Sequence, residues 1–105
     1  MPYRVYVAKL RKRVMEDRRY RAANPQYVSG KPCVYIGATG RTPEDRFEQH
    51  RAGYKSNRYV KRFGTSLFGW AYEGVAPFKH WADAEAAERT LAQQYRSMGW
   101  AVWQN

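Results

Sequence analysis

Alternating hydrophobic and polar positions predict two β-strands in the first third of the chain. Over residues 3–7, a tyrosine and two valines alternate with Arg4 and Tyr6, as in a strand with one buried face. Residues 33–36 form a second, short β-prone run that Gly37 closes. We expect these two strands to lie side by side. Weaker strand patterns occur at residues 65–72 and 100–103.

Three further stretches carry helix signals. Thr42 and Pro43, followed by two acidic residues, predict a helix over residues 43–52. Residues 56–63 predict a short helix, and residues 83–98, rich in Ala, Glu, Gln and Leu, predict the longest one. A glycine follows each stretch and ends the helix. The pattern therefore predicts an α+β fold: a small central antiparallel β-sheet of about three strands, flanked by helices.

A strongly basic segment separates the two predicted strands. Residues 9–21 carry seven Lys or Arg against two acidic residues, and this charge of +5 is half of the net charge of +10. Its aliphatic side chains form only a thin stripe, so we expect the segment to project from the body of the protein. No repeat or break in composition divides the chain. The sequence predicts a single domain over residues 1–105, with a basic insertion at about residues 9–31.

The overall charge narrows the class of partner. Nineteen Lys and Arg against nine Asp and Glu indicate a polyanionic ligand. Because 44% of the residues are hydrophobic and 16% aromatic, the chain is not a disordered basic tail. There is no apolar run of about 18 residues and no secretory-signal pattern, so we expect no membrane partner. The single cysteine, Cys33, fits a reducing compartment. We expect a cytoplasmic protein with nucleoid association left open, either a monomer or a weak homodimer.

The longest predicted helix carries one acidic side chain on an otherwise apolar face. Helical steps of three or four residues place Glu88 together with Ala84, Ala87, Leu91, Tyr95 and Met98. An inward-facing carboxylate is costly unless it is paired or binds a metal. Periodicity alone leaves two interpretations open for Glu88: a buried partner of an arginine, or a metal ligand.

Other candidate groups lie on the first two strands and on the helix after Thr42. Arg46 and His50 are four residues apart and share one helix face, where an arginine suits phosphate and a histidine suits proton transfer. The alternative for this pair is a solvated helix face. Tyr6 and Tyr35 fall on the neighbouring strands, where a tyrosine either packs or moves a proton. The sequence contains no zinc-site spacing and no glycine-rich phosphate loop.

The order of these groups resembles the GIY-YIG nuclease family. The matching positions are Val5-Tyr6-Val7, then Val34-Tyr35-Ile36-Gly37, then Arg46 and His50, then Glu88 and Asn105. Tyr35-Ile36-Gly37-Ala38-Thr39 is similar to the most distinctive stretch of the family, and Ala84-x-x-x-Glu88 is similar to its acidic helix. The connection between the two signature strands is longer than in most members. The insertion thus looks like an added nucleic-acid clamp, with a mobile, non-specifically attractive loop as the alternative.

The resemblance implies hydrolysis of a phosphodiester bond by water at a site with one divalent ion. In that scheme Glu88 holds Mg²⁺ or Mn²⁺, and Arg46 stabilises negative charge on the phosphate. Tyr35 or Tyr6 orients or deprotonates the water with help from His50, and Asn105 is a supporting group. Because one carboxylate is few for a metal site, we expect weak metal binding until substrate phosphate completes the shell.

The remaining basic residues are predicted to contact phosphates. They belong to the insertion, to the mouth of the site and to a groove along residues 51–62: Arg11, Lys12, Arg13, Arg18, Arg19, Arg41, Arg51, Lys55, Arg58, Lys61 and Arg62. The resemblance favours DNA over RNA as the partner. Two other classes explain the charge: a non-catalytic nucleic-acid-binding module that grips single strands by stacking, and a ribosome-associated structural protein. Glu88 on an apolar face argues against both.

Overall fold

The computed structural model describes residues 2–104 and contains one four-stranded sheet with four helices. The strand order is β3-β1-β2-β4. The strands are β1 (Arg4–Leu10), β2 (Cys33–Thr39), β3 (Gly64–Leu67) and β4 (Ala101–Gln104), and the helices are α1 (Arg18–Ala22), α2 (Pro43–Ala52), α3 (Arg58–Phe63) and α4 (Trp81–Ser97). Short 3₁₀ turns span Lys12–Glu16 and Gly69–Ala71. The predicted α+β fold is confirmed.

The sheet is mixed and has one strand more than the sequence predicts. β1 pairs antiparallel with both β2 and β3, whereas β4 lies parallel to β2. A parallel neighbour needs a long crossover connection, and the 17-residue helix α4 supplies it. Within residues 2–104, no helix is long and apolar enough to cross a membrane.

Strand alternation divides the core between the two faces of the sheet. One face carries Val5, Val7, Val34 and Ile36 against Leu91, Ala92 and Tyr95 of α4. The opposite face carries Tyr6 and Tyr35 against α1, α2 and α3. The paired strands are aligned so that Tyr6 faces Gly37 and Ala8 faces Tyr35. This register places both tyrosines on the face away from α4.

The insertion, here residues 11–32, is folded onto the sheet, so the expectation that it projects is wrong. Tyr20 is fully buried, and its hydroxyl donates between the carbonyl oxygens of Val34 at 2.9 Å and Ala101 at 3.0 Å. Asn24 is also buried and accepts a hydrogen bond from the Val102 backbone N–H at 2.7 Å. A thin apolar stripe is enough to dock the insertion because two of its polar side chains also form hydrogen bonds with backbone groups of β2 and β4.

Asp17 ties the insertion to α3. Its carboxylate caps α1 by accepting from the Tyr20 backbone N–H at 2.9 Å. The same carboxylate accepts from the Tyr59 hydroxyl at 3.0 Å and forms an ion pair with Arg58 at 3.2 Å. These contacts hold the pKa of Asp17 below its usual value, chiefly through the hydrogen bond from the Tyr20 backbone. The insertion and α3 therefore form one packed unit.

The helix ends follow local sequence signals with some shifts. Thr42 caps α2 through a hydrogen bond from the Asp45 backbone, and Gly53 follows in a left-handed conformation. The helix predicted over residues 56–63 is α3, and it begins two residues later than predicted because the Asn57 side chain caps it. α4 begins two residues earlier than predicted, at Trp81. Met98, predicted to lie on the inward face of this helix, is exposed because α4 ends before it.

Candidate active site

Two tyrosines meet beside a glycine on the sheet face away from α4. The ring centroids of Tyr6 and Tyr35 are 6.1 Å apart. A Cβ atom at Gly37 would lie 2.7 Å from the Tyr6 hydroxyl oxygen and 2.9 Å from the Tyr35 ring. Such distances are far below normal van der Waals contact, so any larger residue at this position would displace both rings. Glycine is required here by the close approach of the two tyrosines, not by backbone conformation.

His50 connects this tyrosine pair to helix α3. The histidine is fully buried, and its Nε2 lies 2.8 Å from the Tyr6 hydroxyl oxygen. The backbone N–H of Asn57 donates to the other ring nitrogen, Nδ1, at 2.9 Å. Since Nδ1 accepts, the neutral ring carries its proton on Nε2 and donates it to Tyr6. The Tyr6 hydroxyl is then free to donate onward to Tyr35, its other hydrogen-bonding partner.

Burial sets the protonation of the histidine. Burial, together with the positive charge of Arg46, lowers the pKa of His50 to about 4. His50 is therefore neutral at physiological pH. A neutral ring keeps the donor and acceptor arrangement that links Asn57 to Tyr6.

The two tyrosines differ in how easily they lose a proton. Burial raises the pKa of both, that of Tyr6 far above its ordinary value and that of Tyr35 to about 12. For Tyr35, the charge of Glu88 is the second raising influence, while the hydrogen bond from Tyr6 and the charge of Arg46 lower the pKa. Tyr35 is the more acidic of the pair because it receives the hydrogen bond that Tyr6 gives.

Arg46 is held in place by the loop between α2 and α3. Its guanidinium donates to the Gln49 side chain at 3.1 Å and to the carbonyl oxygens of Tyr54 at 3.3 Å and Lys55 at 2.7 Å. Lys55 adopts a positive φ of 43°, a left-handed conformation that is uncommon for a residue with a side chain. The loop is bent so that two consecutive carbonyls face Arg46, which fixes the positive charge beside the tyrosines.

Glu88 is an acidic side chain whose charge acts on the same two hydroxyls. It lies on α4 and is only 4% exposed. Its negative charge nevertheless raises the pKa of Tyr6 and of Tyr35, so the carboxylate acts on the same pair as Arg46. Within the described residues no group of three or more His, Cys, Asp and Glu side chains comes together. A single buried carboxylate supplies oxygen ligands of the kind that a hard divalent ion prefers, and such an ion would take its remaining ligands from substrate and water.

An open cavity of about 680 Å³ gives access to Arg46. Arg41 and Lys55 line it as further positive charges, and Tyr54 and Trp81 line it as aromatic groups. None of the described residues that line this cavity is acidic. The cavity is therefore suited to an anionic ligand.

The predicted phosphate contacts are all exposed, and several of them line cavities. Arg41 and Lys55 line the cavity at Arg46. A separate cavity of about 360 Å³ is lined by Arg13 and Arg18 of the insertion and by Arg62 of α3, together with two acidic residues, Glu16 and Asp17. Two members of the predicted set have structural partners: Arg58 pairs with Asp17, and Lys12 donates to the Lys31 carbonyl oxygen. Basic surface thus occurs in two places, one at the site and one at the insertion.

Most of the predicted catalytic residues converge. Hydrogen bonds join His50, Tyr6 and Tyr35, and the charges of Arg46 and Glu88 act on both tyrosines. Asn105 lies outside the described residues. Sequence reasoning missed Asn57, Tyr54 and Trp81. Asn57 was detectable in principle, since an asparagine before a helical stretch is a typical N-cap. Tyr54 and Trp81 carry no local signal, because folding alone brings them to the same cavity.

The site combines two paired tyrosines, a fixed arginine and a buried carboxylate in a small α+β fold. Such a set of groups is suited to phosphodiester hydrolysis, which is the chemistry of nucleases. The family model of the GIY-YIG catalytic domain matches residues 27–101, and the chain belongs to the GIY-YIG family. Membership implies a nuclease. The matched residues include Tyr35, Arg46, His50 and Glu88, while Tyr6 precedes them and is placed by the pairing of β1 with β2. No curated protein and no solved structure matches the chain at a significant level.

Proposed function

We propose that the protein is a divalent-metal-dependent endonuclease that hydrolyses phosphodiester bonds in DNA. The observation that carries this proposal is the convergence of opposite charges on one hydroxyl pair. Arg46 lowers and Glu88 raises the pKa of Tyr35, although the two residues lie on different helices, α2 and α4. A purely structural packing of tyrosines has no need of either charge.

Tyr35 is the group proposed to orient the attacking water and, in the fraction of molecules in which its own proton has been released to solvent, to take the proton of that water as the phenolate and return to the neutral hydroxyl. The hydrogen bond from Tyr6 and the charge of Arg46 both stabilise its deprotonated form. His50 holds Tyr6 in the donating orientation, because its Nε2 proton occupies the acceptor side of the Tyr6 hydroxyl. Tyr6 and His50 thus position and stabilise the base, and Tyr35 contacts the water.

Arg46 is proposed to stabilise the negative charge that develops on the phosphate. Three hydrogen bonds hold its guanidinium before substrate arrives, so little reorganisation is needed during the reaction. Glu88 is the proposed ligand of Mg²⁺ or Mn²⁺. A bound ion would neutralise the Glu88 charge, polarise a phosphate oxygen and stabilise the leaving oxygen.

Binding of the polyanion is assigned to the two basic regions. Arg41 and Lys55 would contact phosphates near the cleaved bond, and Arg13, Arg18 and Arg62 would contact phosphates farther along the strand. If six to ten such contacts form, affinity should fall by roughly 10³- to 10⁵-fold between 50 and 200 mM salt. An affinity that does not depend on salt would contradict this assignment.

The decisive experiment is cleavage of supercoiled plasmid with Mg²⁺, Mn²⁺ or EDTA by the wild type and by Glu88→Gln. We expect nicking only with metal, and loss of at least roughly 10²-fold in Glu88→Gln. Glu85→Gln is the matched control, because Glu85 is an exposed carboxylate one turn earlier on the same helix. Equal nicking by the wild type and Glu88→Gln would overturn the proposal. Salt-sensitive binding without cleavage in any metal would favour the non-catalytic binding module.

Titration calorimetry tests the metal site separately. A single carboxylate predicts weak Mg²⁺ binding to the protein alone and stronger binding in the presence of uncleavable DNA. Tight binding of Mg²⁺ without nucleic acid would show that other ligands complete the site.

A further inference from the structure

Two large aromatic side chains lie exposed in the cavity at Arg46. Trp81 is 43% exposed and Tyr54 is 53% exposed, and both line the same space of about 680 Å³. Large aromatic residues are usually much better covered in a folded domain. The two come from distant parts of the chain, the first turn of α4 and the loop after α2. Because both aromatic rings lie in the cavity that contains Arg46, we expect the ligand of this cavity to have a flat apolar face.

Neighbouring groups hold the indole of Trp81 and the backbone of Tyr54. Tyr3 makes a T-shaped contact with Trp81, with centroids 5.4 Å apart, and such a contact covers at most one face of the indole. The Tyr54 carbonyl accepts from Arg46, and the Lys55 ammonium lies 5.7 Å from the centre of the Tyr54 ring. An incoming ring would therefore meet the Trp81 indole as a surface held by Tyr3, with Tyr54 attached to a fixed backbone beside it.

The charges around the cavity define the rest of the ligand. Arg41, Arg46 and Lys55 are positive, and no acidic residue is among the described residues that line the cavity. Within a nucleic acid, the unit that combines an anionic group with a flat ring is the nucleotide. The volume lies within the range of about 300–1,000 Å³ that holds ligands of such size.

We propose that this cavity binds an unpaired base of the nucleic acid, stacked on Trp81 with Tyr54 alongside, next to the phosphate held by Arg46. This inference rests on the proposed function and specifies its substrate. Bases inside a duplex stack on each other and offer no free face, whereas an unpaired nucleotide does. The cavity therefore selects nucleic acid with an unpaired nucleotide beside the bond to be cleaved.

The test is a binding measurement without metal, so that no cleavage occurs. Fluorescence anisotropy is measured on three end-labelled DNA molecules: a fully paired duplex, the same duplex with one unpaired nucleotide, and that duplex with an abasic residue in the unpaired position. We expect the wild type to bind the second roughly 5- to 150-fold more tightly than the other two. The abasic molecule separates stacking from the greater flexibility of a bulged duplex.

Trp81→Ala should abolish this preference, so that the variant binds the three molecules equally. Trp70→Ala is the matched control, because Trp70 is 58% exposed and packs against Phe68 and Trp100 away from the cavity. Equal binding of the three molecules by the wild type would overturn the inference, as would a preference that persists in Trp81→Ala. Absence of cleavage with metal would overturn only the proposed function, since the binding preference is measured without it.

Discussion

Two clusters of buried tyrosines share one face of the sheet, and they differ in what their hydroxyls contact. The first, here the relay cluster, consists of Tyr6, Tyr35 and His50. The second, here the anchor cluster, contains Tyr20 and Tyr59, with Trp103 packed against both rings. Tyr6 and Tyr20 are equally buried, and burial raises the pKa of both far above the ordinary value.

The partners of the hydroxyls separate the two clusters. Tyr20 donates between two backbone carbonyls, which neither take nor release protons. Tyr6 contacts a histidine and a second tyrosine, so its proton belongs to a chain of titratable groups. Burial and a raised pKa are common to both, and neither property marks a catalytic tyrosine here. What distinguishes a catalytic tyrosine here is whether the group that its hydroxyl contacts can itself take up or release a proton.

The largest expected difference between the clusters is in activity. Tyr35→Phe should reduce plasmid cleavage by roughly 10²- to 10⁴-fold, because the proposed base is lost while its ring still fills the core. Initial rates in Mg²⁺ measure this, with Tyr20→Phe as the control at a temperature where both variants are folded. Similar rates in the two variants would remove the functional distinction between the clusters.

The pH dependence of stability tests the relay cluster through His50. Its pKa is about 4 in the folded protein and near 6.5 in the unfolded chain. Above pH 6.5, His50 is neutral in both the folded and the unfolded protein, so it does not make the free energy of unfolding depend on pH. Below that pH the unfolded chain takes up a proton that the folded protein refuses, so stability falls towards pH 4 by up to about 3 kcal/mol.

Urea unfolding at about pH 7.5 and about pH 5 measures this effect in the wild type and in His50→Gln. The variant should lose less stability on acidification than the wild type. His80→Gln is the control, since His80 is exposed and lies outside the relay cluster. An identical pH dependence in all three proteins would mean that His50 is not held neutral by burial.

The anchor cluster is expected to affect stability rather than chemistry. Tyr20→Phe removes the hydroxyl that donates from the insertion to the carbonyl oxygens of Val34 in β2 and Ala101 in β4. We expect a loss of about 1–3 kcal/mol in the free energy of unfolding, measured in urea. The cleavage rate of the folded fraction should stay within about twofold of the wild type, as expected for a group outside the reaction. A large fall in that rate at unchanged stability would place Tyr20 in the relay.

The smallest expected effect is at the link between the clusters. Asp17→Ala removes the α1 cap and the contacts to Arg58 and Tyr59, with an expected cost of about 1 kcal/mol. Because α3 follows Asn57, which donates to His50, activity should also fall, by less than about tenfold. Glu16→Ala, at the exposed neighbouring position, should change neither quantity. Activity lost as completely as in Tyr35→Phe would make Asp17 part of the relay cluster.

Local chemistry explains what the sequence could predict. Thr42, Pro43 and Gly53 specify the ends of α2 with side chains only a few residues away, and that helix has the predicted bounds. Glu88 was detectable because helical periodicity isolates one charge on an apolar face. The order of Tyr35, Arg46, His50 and Glu88 along the chain was then sufficient to predict the family, and the match over residues 27–101 confirms that prediction.

The missed features depend on contacts between distant residues. Tyr20 binds a carbonyl 81 positions away, and no periodicity in a thin apolar stripe signals such a partner. The parallel placement of β4 follows from where α4 packs, and four residues carry little pattern of their own. Trp81 and Tyr54 reach one cavity only after the sheet and both helices are assembled.

The position of Tyr20 has a consequence for the order of folding. Its hydroxyl bridges β2 and β4, so the insertion can dock fully only after these two strands have paired. Their paired residues, such as Cys33 and Ala101, are far apart in sequence, and contacts of this kind form slowly because a long loop must close first. We therefore expect the insertion to be the last part of the domain to become protected from hydrogen exchange during refolding.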